Sequence, residues 1–397
     1  MESKTARRTL FFVVALFAGI GLVAYLVSFL IRGYRPQPGG GISLQATGLL
    51  AADSKPEGAS VYLDDKLITA TNDSLNLPPG EYQVRIEKDG FLPWQKELKI
   101  KKEVVIQTNT VLFKSAPDLK PLTNTGAINP VLSPEGSRIV YAVNTASARK
   151  NNGIWVLDLS SGLPLSRANV RQLTDLPIGD NETTFEWSPD GKQILITLGK
   201  QGNYLVSIDQ FIDSDQLADV SLQLKTILTG WEEEREMDLV TKLAKLPEQM
   251  EAIASQSADL IQFSSDGEKM VYLATDSVAI PEDLIPHPPA RSTQVEDRNL
   301  KPGNIYCFDS KEDTNFLLGS ADQMKNIRWL TERHLVYIDQ EKNEVKVLEA
   351  DNSNRLSVYS GPFDNGFVFP SPSGKSLITL TSLHPGSSGN LYEVVIR

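Results

Sequence analysis

Short apolar runs and polar turns alternate with a regular rhythm over the C-terminal two thirds of the chain. The clearest unit covers residues 185–197, where two apolar runs flank a Ser-Pro-Asp-Gly turn. Pro189 fixes φ for the first corner of the turn, Asp190 can bond its own backbone, and Gly191 accepts the positive φ that closes it. The pattern therefore predicts a tight hairpin between two buried strands.

The same hairpin pattern recurs along the chain. Further copies cover residues 131–141, 263–273 and 369–380, and a degenerate copy without Pro and Gly covers 327–338. Apolar third strands follow at 153–158, 203–209, 304–309, 344–348 and 390–396, and fourth strands at 171–174, 225–229, 315–318 and 355–359. A repeated unit of four strands is typical of a β-propeller. The sequence thus predicts five blades, with six as the alternative.

The last repeat shows no fourth strand before Arg397, but a matching strand at residues 119–123 precedes the first repeat. We expect this strand to complete the last blade and close the ring, which removes open sheet edges. The turn Trp187-Ser188-Pro189-Asp190-Gly191 and the strand at 153–158 resemble the WD-like repeats of TolB-type β-propellers. The resemblance covers residues 117–397 and implies a propeller domain.

Residues 42–114 alternate apolar and polar side chains with turns between them, which predicts a small antiparallel β-sandwich. Pro56-Glu57-Gly58-Ala59, residues 77–84 and residues 89–91 resemble a PEGA domain. Gly90 should turn the chain so that Phe91 packs under the sheet. The resemblance implies a binding or spacer role in a bacterial surface protein beside a membrane anchor, without naming a ligand.

Residues 9–31 form an uncharged, mainly apolar run of 23 residues. At about 1.5 Å per residue, such a helix spans the hydrocarbon layer of a bilayer. A cleaved signal peptide is the competing interpretation, but its apolar region is shorter. We expect a cytoplasmic tail at 1–8, a single-pass signal anchor at 9–31, a Pro/Gly stalk at 32–41, and C-terminal domains outside the cytoplasm.

Two insertions, at residues 231–258 and 275–302, interrupt the propeller repeats. The first has helical spacing, and the second is rich in proline. Strand order places both on one face of the propeller, and long loops on rigid scaffolds often carry function. The predicted partner-binding face consists of Trp231, Arg235, Leu239, Leu243, Met250, Ile285, His287, Arg291 and Arg298. The alternative is that the insertions only cover the channel or pad a blade.

Composition excludes some functions. The formal net charge of −11 argues against nucleic-acid binding, which requires a basic face. Cys307 lies in an apolar strand, and His287, His334 and His384 are scattered without the spacing of a metal site or a catalytic triad. No nucleophile or phosphate-loop motif is present. We therefore expect no enzyme activity, no metal and no cofactor.

These observations favour a membrane-anchored extracytoplasmic binding or scaffold protein of the bacterial cell envelope. Its propeller and PEGA domain would contact an envelope protein, a peptide or a glycan. A structural surface spacer without a specific ligand is the alternative, and a propeller-based hydrolase is a more distant one.

Overall fold

The computed structural model describes residues 2–31, 35–36, 44–45, 47–160, 170–178, 183–199, 201–364, 366–382 and 389–397. The chain divides into two compact units. Unit 1 runs to Leu112 and also includes Pro288–Thr293, whereas unit 2 comprises Phe113–His287 and Gln294–Arg397. Each unit is described by itself. Most of the predicted stalk at 32–41 and the residue His384 lie outside the described residues.

Unit 1 contains one helix followed by short strands. They are α1 (Glu2–Ile31), β1 (Arg35–Pro36), β2 (Leu44–Gln45), β3 (Gly48–Ala52), β4 (Ser54–Lys55), β5 (Ser60–Leu63), β6 (Lys66–Ala70), β7 (Asp73–Leu77), β8 (Gly80–Glu87), β9 (Trp94–Ile100), β10 (Val105–Gln107) and β11 (Thr110–Val111). The larger sheets have the strand orders β6-β5-β8-β9 and β10-β3-β7. The sequence predicted a purely antiparallel domain. This prediction is wrong, because strand β10 pairs in parallel with β3.

Alternate residues of these strands form the core of unit 1. Val61, Val84 and Ile86 are fully buried, and they pack in one cluster with Trp94. Phe91 packs against the same cluster from the turn in which Gly90 has a φ of +81°. A positive φ favours glycine, because it has no Cβ. The predicted role of Gly90 is therefore confirmed.

Helix α1 covers the predicted anchor at residues 9–31. Its apolar side chains are exposed where they are described, with Phe11 71%, Phe12 69% and Leu16 62% accessible. As far as the structure describes them, none of the helices is long and apolar enough to cross a membrane. The predicted transmembrane helix at 9–31 is therefore not supported by the described part of the chain.

Unit 2 is mainly β. Its elements are β12 (Asp118–Pro121), β13 (Ile128–Leu132), β14 (Arg138–Val143), β15 (Gly153–Asp158), β16 (Val170–Thr174), β17 (Thr183–Trp187), β18 (Gln193–Leu198), β19 (Asn203–Ser207), α2 (Leu224–Leu243), α3 (Glu248–Ser257), β20 (Ala258–Phe263), β21 (Lys269–Ala274), β22 (Asn304–Asp309), β23 (Thr314–Ser320), β24 (Met324–Trp329), β25 (His334–Asp339), β26 (Glu344–Glu349), β27 (Leu356–Tyr359), β28 (Val368–Pro370), β29 (Ser376–Thr381) and β30 (Asn390–Val395). Short 3₁₀ turns lie at Arg149–Asn151 and Ser214–Gln216.

Within its described residues, unit 2 has five antiparallel sheets, which we number in chain order. Sheet 1 is β13–β16, sheet 2 is β17–β19, sheet 3 is β20–β23, sheet 4 is β24–β27, and sheet 5 has the order β12-β30-β29-β28. The number of blades in the ring stays a prediction, because residues 161–169, 179–182 and 383–388 lie outside the described parts.

Strand β12 completes sheet 5, as the sequence predicted. It pairs antiparallel with β30, with Asp118 opposite Val395 and Pro121 opposite Tyr392. Just beyond it, the Leu391 N–H donates to Thr123 Oγ1 at 2.9 Å. The start and the end of unit 2 therefore share one sheet, which leaves β30 paired on both sides.

Buried serines hold the predicted hairpin turns. Ser188 Oγ accepts a hydrogen bond from Gln193 N at 2.9 Å, and Ser264 Oγ accepts one from Lys269 N at 2.9 Å. Gly191 has a φ of +67°, as the turn requires. In the degenerate copy, Thr331 Oγ1 takes the serine's place and accepts from His334 N at 3.2 Å. A hydroxyl at this position keeps the turn closed without Pro or Gly.

We call β13, β17, β20, β24 and β28 the inner strands of sheets 1 to 5, and three of them carry a bulge. The register shifts between Ile128 and Val131, between Asp259 and Gln262, and between Lys325 and Arg328. One residue in each bulge has a positive φ, namely Asn129 (48°), Leu260 (50°) and Asn326 (53°). A bulge of this kind adds one unpaired residue and sharpens the local twist.

Side chains of the inner strands also join neighbouring sheets. Asn129 Nδ2 donates to Thr183 O at 2.8 Å, and Asn326 Nδ2 donates to Val368 O at 2.8 Å. From sheet 4 back to sheet 3, Trp329 Nε1 donates to the main-chain oxygen of Gln262 at 3.2 Å. The inner strands are therefore fixed side by side by hydrogen bonds as well as by packing.

One strand prediction is wrong. Residues 225–229 were expected to be the fourth strand of sheet 2, but they belong to α2, which begins at Leu224. The helical spacing predicted for the first insertion is confirmed, because α3 spans Glu248–Ser257 and β20 begins at Ala258. The helical insertion is therefore longer than 231–258, since it replaces the expected fourth strand.

Candidate functional site

The two helices lie against one face of sheet 3. Leu243 and Met250 are 4% and 0% exposed, and they pack in one cluster with Tyr272 and Phe308 of the sheet. Leu239 packs against the same cluster. The other face of sheet 3 is covered by sheet 4, through a second cluster that includes Cys307, Leu335 and other apolar residues. The helices therefore occupy the side of sheet 3 that a neighbouring sheet would otherwise cover.

The loop at 275–302 joins the same cluster, so the two insertions are neighbours, as strand order predicted. Ile280 and Leu300 are 3% and 2% exposed and contribute to the packing of the helices on sheet 3. Ile285 is half-buried beside Leu284, which also packs against this cluster. Ile280 and Leu300 therefore stabilise the fold and are not available to a partner.

A buried carboxylate organises the polar part of this loop. Asp313 is fully buried, and its Oδ2 accepts a hydrogen bond from Leu284 N at 2.9 Å. His287 Nε2 lies 3.2 Å from the same oxygen. Arg298 Nη2 lies 3.1 Å from Asp313 Oδ1, an ion pair in which Oδ1 accepts no hydrogen bond from the described residues. His287 and Arg298 are thus brought together, but by Asp313 rather than by a ligand.

Arg298 is also held by its other donors. Its Nη1 donates to Pro281 O at 2.6 Å, and its Nε donates to Glu296 Oε2 at 3.1 Å. Its side chain is only 12% exposed. Asp313 gave no signal in the sequence, because an aspartate in a turn between two strands is ordinary. Its burial becomes visible only when the loop folds over it.

Asn315 fixes the second polar contact of the loop. Its Nδ2 donates to Asp297 O at 2.7 Å, and its Oδ1 accepts from the Tyr272 hydroxyl at 3.0 Å. Tyr272 stacks on Tyr306, with their ring centroids 5.9 Å apart. Burial raises the pKa of the Tyr272 hydroxyl well above its usual value, so this group stays protonated and serves as a donor.

The remaining predicted site residues are dispersed. Trp231 is 8% exposed on α2, so its ring is inside the fold. Arg235 forms an ion pair with Glu186 of β17, with Nη2 and Oε1 2.7 Å apart. Arg291 is half-buried and belongs to unit 1, unlike the other eight. The nine predicted residues therefore do not form one surface, and most of them have structural contacts.

What α2 does expose is a stripe that includes residues outside the predicted set. Met237 is 65% and Val240 59% exposed, and they follow Glu233 and Glu236 along the same side of the helix. We call these four residues the outer α2 surface. Val240 lies between Leu239 and Leu243 in the insertion with helical spacing, but of these three only Leu239 and Leu243 pack on sheet 3. The spacing did not distinguish the two sides of a helix with such weak amphipathicity.

The described residues provide little catalytic chemistry. They contain no group of three or more His, Cys, Asp or Glu side chains that could hold a metal ion. His334 is 4% exposed, with its Nδ1 3.0 Å from Thr331 Oγ1 and its ring against Phe113. Cys307 is buried, and burial raises the pKa of its thiol far above the ordinary value, which disfavours a reactive thiolate.

Residues 47–115 match the family model of the PEGA domain, which confirms that part of the resemblance. No curated protein matches the chain at a significant level. Among solved structures, TolB from Acinetobacter baumannii is 14% identical, with a TM-score of 0.24 and coverage of 80% of this chain and 60% of that chain. An auxiliary nutrient binding protein from Bacteroides thetaiotaomicron is 10% identical, with a TM-score of 0.27 and coverage of 85% and 90%.

A puromycin-hydrolyzing peptidase from Mycobacterium tuberculosis is 12% identical, with a TM-score of 0.20 and coverage of 77% of this chain and 41% of that chain. All three TM-scores are below 0.5, so we draw no functional conclusion from these likenesses. The chain thus combines a PEGA-type domain at residues 47–115 with a mainly β unit that is similar to TolB-type propellers.

Proposed function

We propose that this protein is an extracytoplasmic binding or scaffold protein of the cell envelope, attached to the membrane by residues 9–31, and that the outer α2 surface contacts its protein partner. The observation that carries the proposal is the combination of exposed apolar and acidic side chains on α2, on a helix whose opposite side is packed on sheet 3. An exposed apolar group on a rigid support is a common feature of contact surfaces.

The spacing supports one continuous contact. Residues 233, 237 and 240 follow one another by four and three positions, and therefore lie on one side of a helix. Met237 and Val240 would supply the apolar centre of the contact. Methionine adapts its shape to a partner, because its side chain is unbranched and flexible.

Charge indicates the kind of partner. Glu233 and Glu236 form no ion pair with the described residues, whereas the cations of this helix end are engaged: Arg235 with Glu186 and Lys242 with Asp238, at 2.7 Å in both cases. A basic protein surface with apolar residues would complement this pattern. The exposed part of α2 offers no aromatic ring, since its one aromatic residue is the buried Trp231, so a stacked glycan is less favoured.

Membrane attachment is supported by the uncharged run at 9–31 and by the exposure of its apolar side chains on α1. Protease added to intact cells or spheroplasts should then degrade unit 2 and leave α1 protected. Protection of unit 2 would contradict an extracytoplasmic location. Removal of residues 1–41 should release the rest of the chain from the membrane fraction.

The contact is tested by cross-linking in cells and affinity capture with two double variants, Met237→Ser/Val240→Ser and Glu233→Lys/Glu236→Lys. Matched controls are Leu222→Ser, at a side chain that is 96% exposed, and Glu248→Lys at the start of α3. We expect both double variants to lose the same partner at unchanged melting temperature, and both controls to keep it. Equal capture by all variants would contradict the proposal and favour a structural spacer.

A further inference from the structure

The five inner strands carry one equivalent position each, and only one of these positions holds a cation. The position immediately precedes the last residue before each hairpin turn, and it pairs with the second strand in the same register in every sheet. Its occupants are Val131, Glu186, Gln262, Arg328 and Phe369, opposite Val140, Leu195, Val271, Val336 and Ile378 respectively. In a propeller arrangement, the inner strands surround the central channel.

Arg328 is flanked by its equivalents in the neighbouring sheets. Its guanidinium carbon lies 5.8 Å from the centre of the Phe369 ring of sheet 5. On the other side, Gln262 Nε2 donates to Ile327 O at 3.1 Å, which fixes the strand next to Arg328. Ile327 is buried, and Trp329 is held by its own hydrogen bond to Gln262 O. The residues before and after Arg328 in β24 are therefore buried or hydrogen-bonded, while the side chain of Arg328 remains accessible to solvent.

The guanidinium of Arg328 has donors to spare. It forms no ion pair or hydrogen bond with the described residues, whereas Arg355 of the same sheet region donates to Tyr337 Oη at 2.8 Å and to Leu318 O at 2.6 Å. Glu186 is the one carboxylate among the five equivalent positions, and it is already paired with Arg235. Neighbouring protein atoms lower the pKa of Arg328 through partial desolvation, although its side chain is exposed.

The bulge in β24 brings a second cation to the same side of the sheet. Lys325 pairs with Ile338 and Arg328 with Val336, so the two residues face partners that are two positions apart. Without the bulge, residues three apart would point to opposite faces. The extra residue instead places Lys325 and Arg328 as alternate residues of a strand, about 7 Å apart. Lys325 is exposed and forms no ion pair with the described residues.

We propose that Arg328 and Lys325 form a two-point anion site that binds an extended acidic peptide segment, with two carboxylates at alternate residues. Side chains of an extended peptide repeat on one side at about 7 Å, which matches the spacing of the two cations. Arg328 would bind its carboxylate through two parallel hydrogen bonds, because the guanidinium is planar and matches that geometry. The Phe369 ring keeps the guanidinium oriented through a cation–π contact.

The two cations are not expected to contribute equally. Asp259 occupies the position in β20 that corresponds to Lys325, one inner strand away. Its carboxylate accepts a hydrogen bond from Leu260 N at 2.7 Å and would repel the ligand carboxylate near Lys325. Next to Arg328, the corresponding positions hold the neutral Gln262 and Phe369. Arg328 should therefore dominate the affinity.

The test uses the full chain in mild detergent and a fluorescent heptapeptide of sequence Gly-Ser-Glu-Thr-Glu-Ser-Gly, followed by polarisation. The comparison probes are the same peptide with both Glu replaced by Gln, and one with the two Glu adjacent. We expect the alternate-Glu peptide to bind at least about tenfold more tightly than either comparison peptide. Its binding should weaken as the salt concentration is raised. Equal binding of the three peptides would overturn the proposal.

Variants then assign the site. Arg328→Gln should weaken the binding of the alternate-Glu peptide by about tenfold or more, and Lys325→Gln should weaken it by less. The affinity of Arg328→Lys should lie between those of wild type and Arg328→Gln, because lysine keeps only the charge. Arg333→Gln, on the turn of the same sheet, is the matched control and should bind as wild type. Circular dichroism and melting establish that each variant is folded. Unchanged binding by folded Arg328→Gln, or full displacement of the peptide by an equal concentration of glutarate, would overturn the assignment to a peptide at these residues.

Discussion

The indole nitrogen of Trp187 donates a hydrogen bond to the main-chain oxygen of Val131 over 3.1 Å, and so joins the inner strands of sheets 2 and 1. Trp187 is 4% exposed. Trp187→Phe should lower the free energy of unfolding by about 1–3 kcal/mol, because it removes this hydrogen bond and leaves the partly buried carbonyl of Val131 without its indole donor. Trp155→Phe is the control, since the Trp155 indole donates to Asn151 O at the protein surface and should matter less. If chemical denaturation showed equal decreases in unfolding free energy for the two variants, the Trp187 hydrogen bond would not be a stabilising contact between the sheets.

Substitutions on α2 should separate its two sides. Leu243→Ala removes a side chain that is 4% exposed and should destabilise the protein by about 2–5 kcal/mol. Val240→Ala, three residues earlier and 59% exposed, should change stability by less than about 0.5 kcal/mol. Thermal denaturation of both variants checks this. Comparable losses of stability in the two variants would mean that α2 is not fixed on sheet 3 in solution.

Asp313→Asn should loosen the loop at 275–302. Asparagine tolerates the positive φ of 50° at this position, so the main effect is the loss of the charge that compensates Arg298. Removal of one partner of a buried ion pair costs about 3–5 kcal/mol. Hydrogen exchange at Leu284, whose N–H donates to Asp313, should accelerate.

Asp283→Asn is the matched control for that experiment. Its carboxylate is 82% exposed and 3.7 Å from His287, so this substitution should leave exchange at Leu284 and the melting temperature nearly unchanged. If both variants opened the loop to the same extent, Asp313 would not be its organising contact.

Leu260→Asn should stabilise the protein by up to about 1 kcal/mol. Leu260 has a φ of 50°, which is unfavourable for leucine, and its side chain is 62% exposed, so little packing is lost. The equivalent bulge positions in sheets 1 and 4 are Asn129 and Asn326, and both donate to the next inner strand. Leu260→Ala is the control and should not give this gain. A lower melting temperature for Leu260→Asn would contradict the argument.

Acid should weaken the turn of sheet 2. The Ser188 hydroxyl and the Lys192 N–H donate to Asp190 Oδ1 at 2.7 and 3.1 Å, and they lower the pKa of this carboxyl. Since its folded pKa is below the unfolded value of about 3.9, its stabilisation is present above that pH and is lost as the pH falls through the folded pKa. The difference in unfolding free energy between wild type and Asp190→Asn should therefore be constant above about pH 5 and shrink as the pH falls below about 4. Ser188→Ala should move this decrease to higher pH.

The hairpins and the closing strand could be predicted from the sequence, because each depends on local turn chemistry that the chain repeats. Residues 225–229 were misassigned for the opposite reason. Thr226, Ile227 and Thr229 favour a strand by themselves, but the helix buries Leu243 and its neighbours on sheet 3, and this packing decides the local structure. Tertiary context of this kind has no local sequence signal.

The candidate site was harder to predict than the fold. Helical spacing located the apolar residues of the insertion, but it could not show that Leu243 and Met250 are buried while Met237 is exposed. The partners of the predicted cations, Glu186 and Asp313, lie 49 and 15 residues away from them in the chain. Likewise, Lys325 and Arg328 face the same side only because of a bulge that the sequence did not reveal.

The packing of α2 and α3 on sheet 3 has a consequence for how unit 2 unfolds. In repeat proteins, stability is approximately the sum of each repeat and its coupling to its nearest neighbours, and identical couplings make the whole array melt together. Here one coupling is of a different kind, since the outer partner of sheet 3 is a helical pair joined to sheet 2 by an exposed ion pair between Arg235 and Glu186. An exposed pair contributes little, about 0–1 kcal/mol. We therefore expect unit 2 to open first at this seam between sheets 2 and 3, while sheet 5 still links sheet 4 to sheet 1.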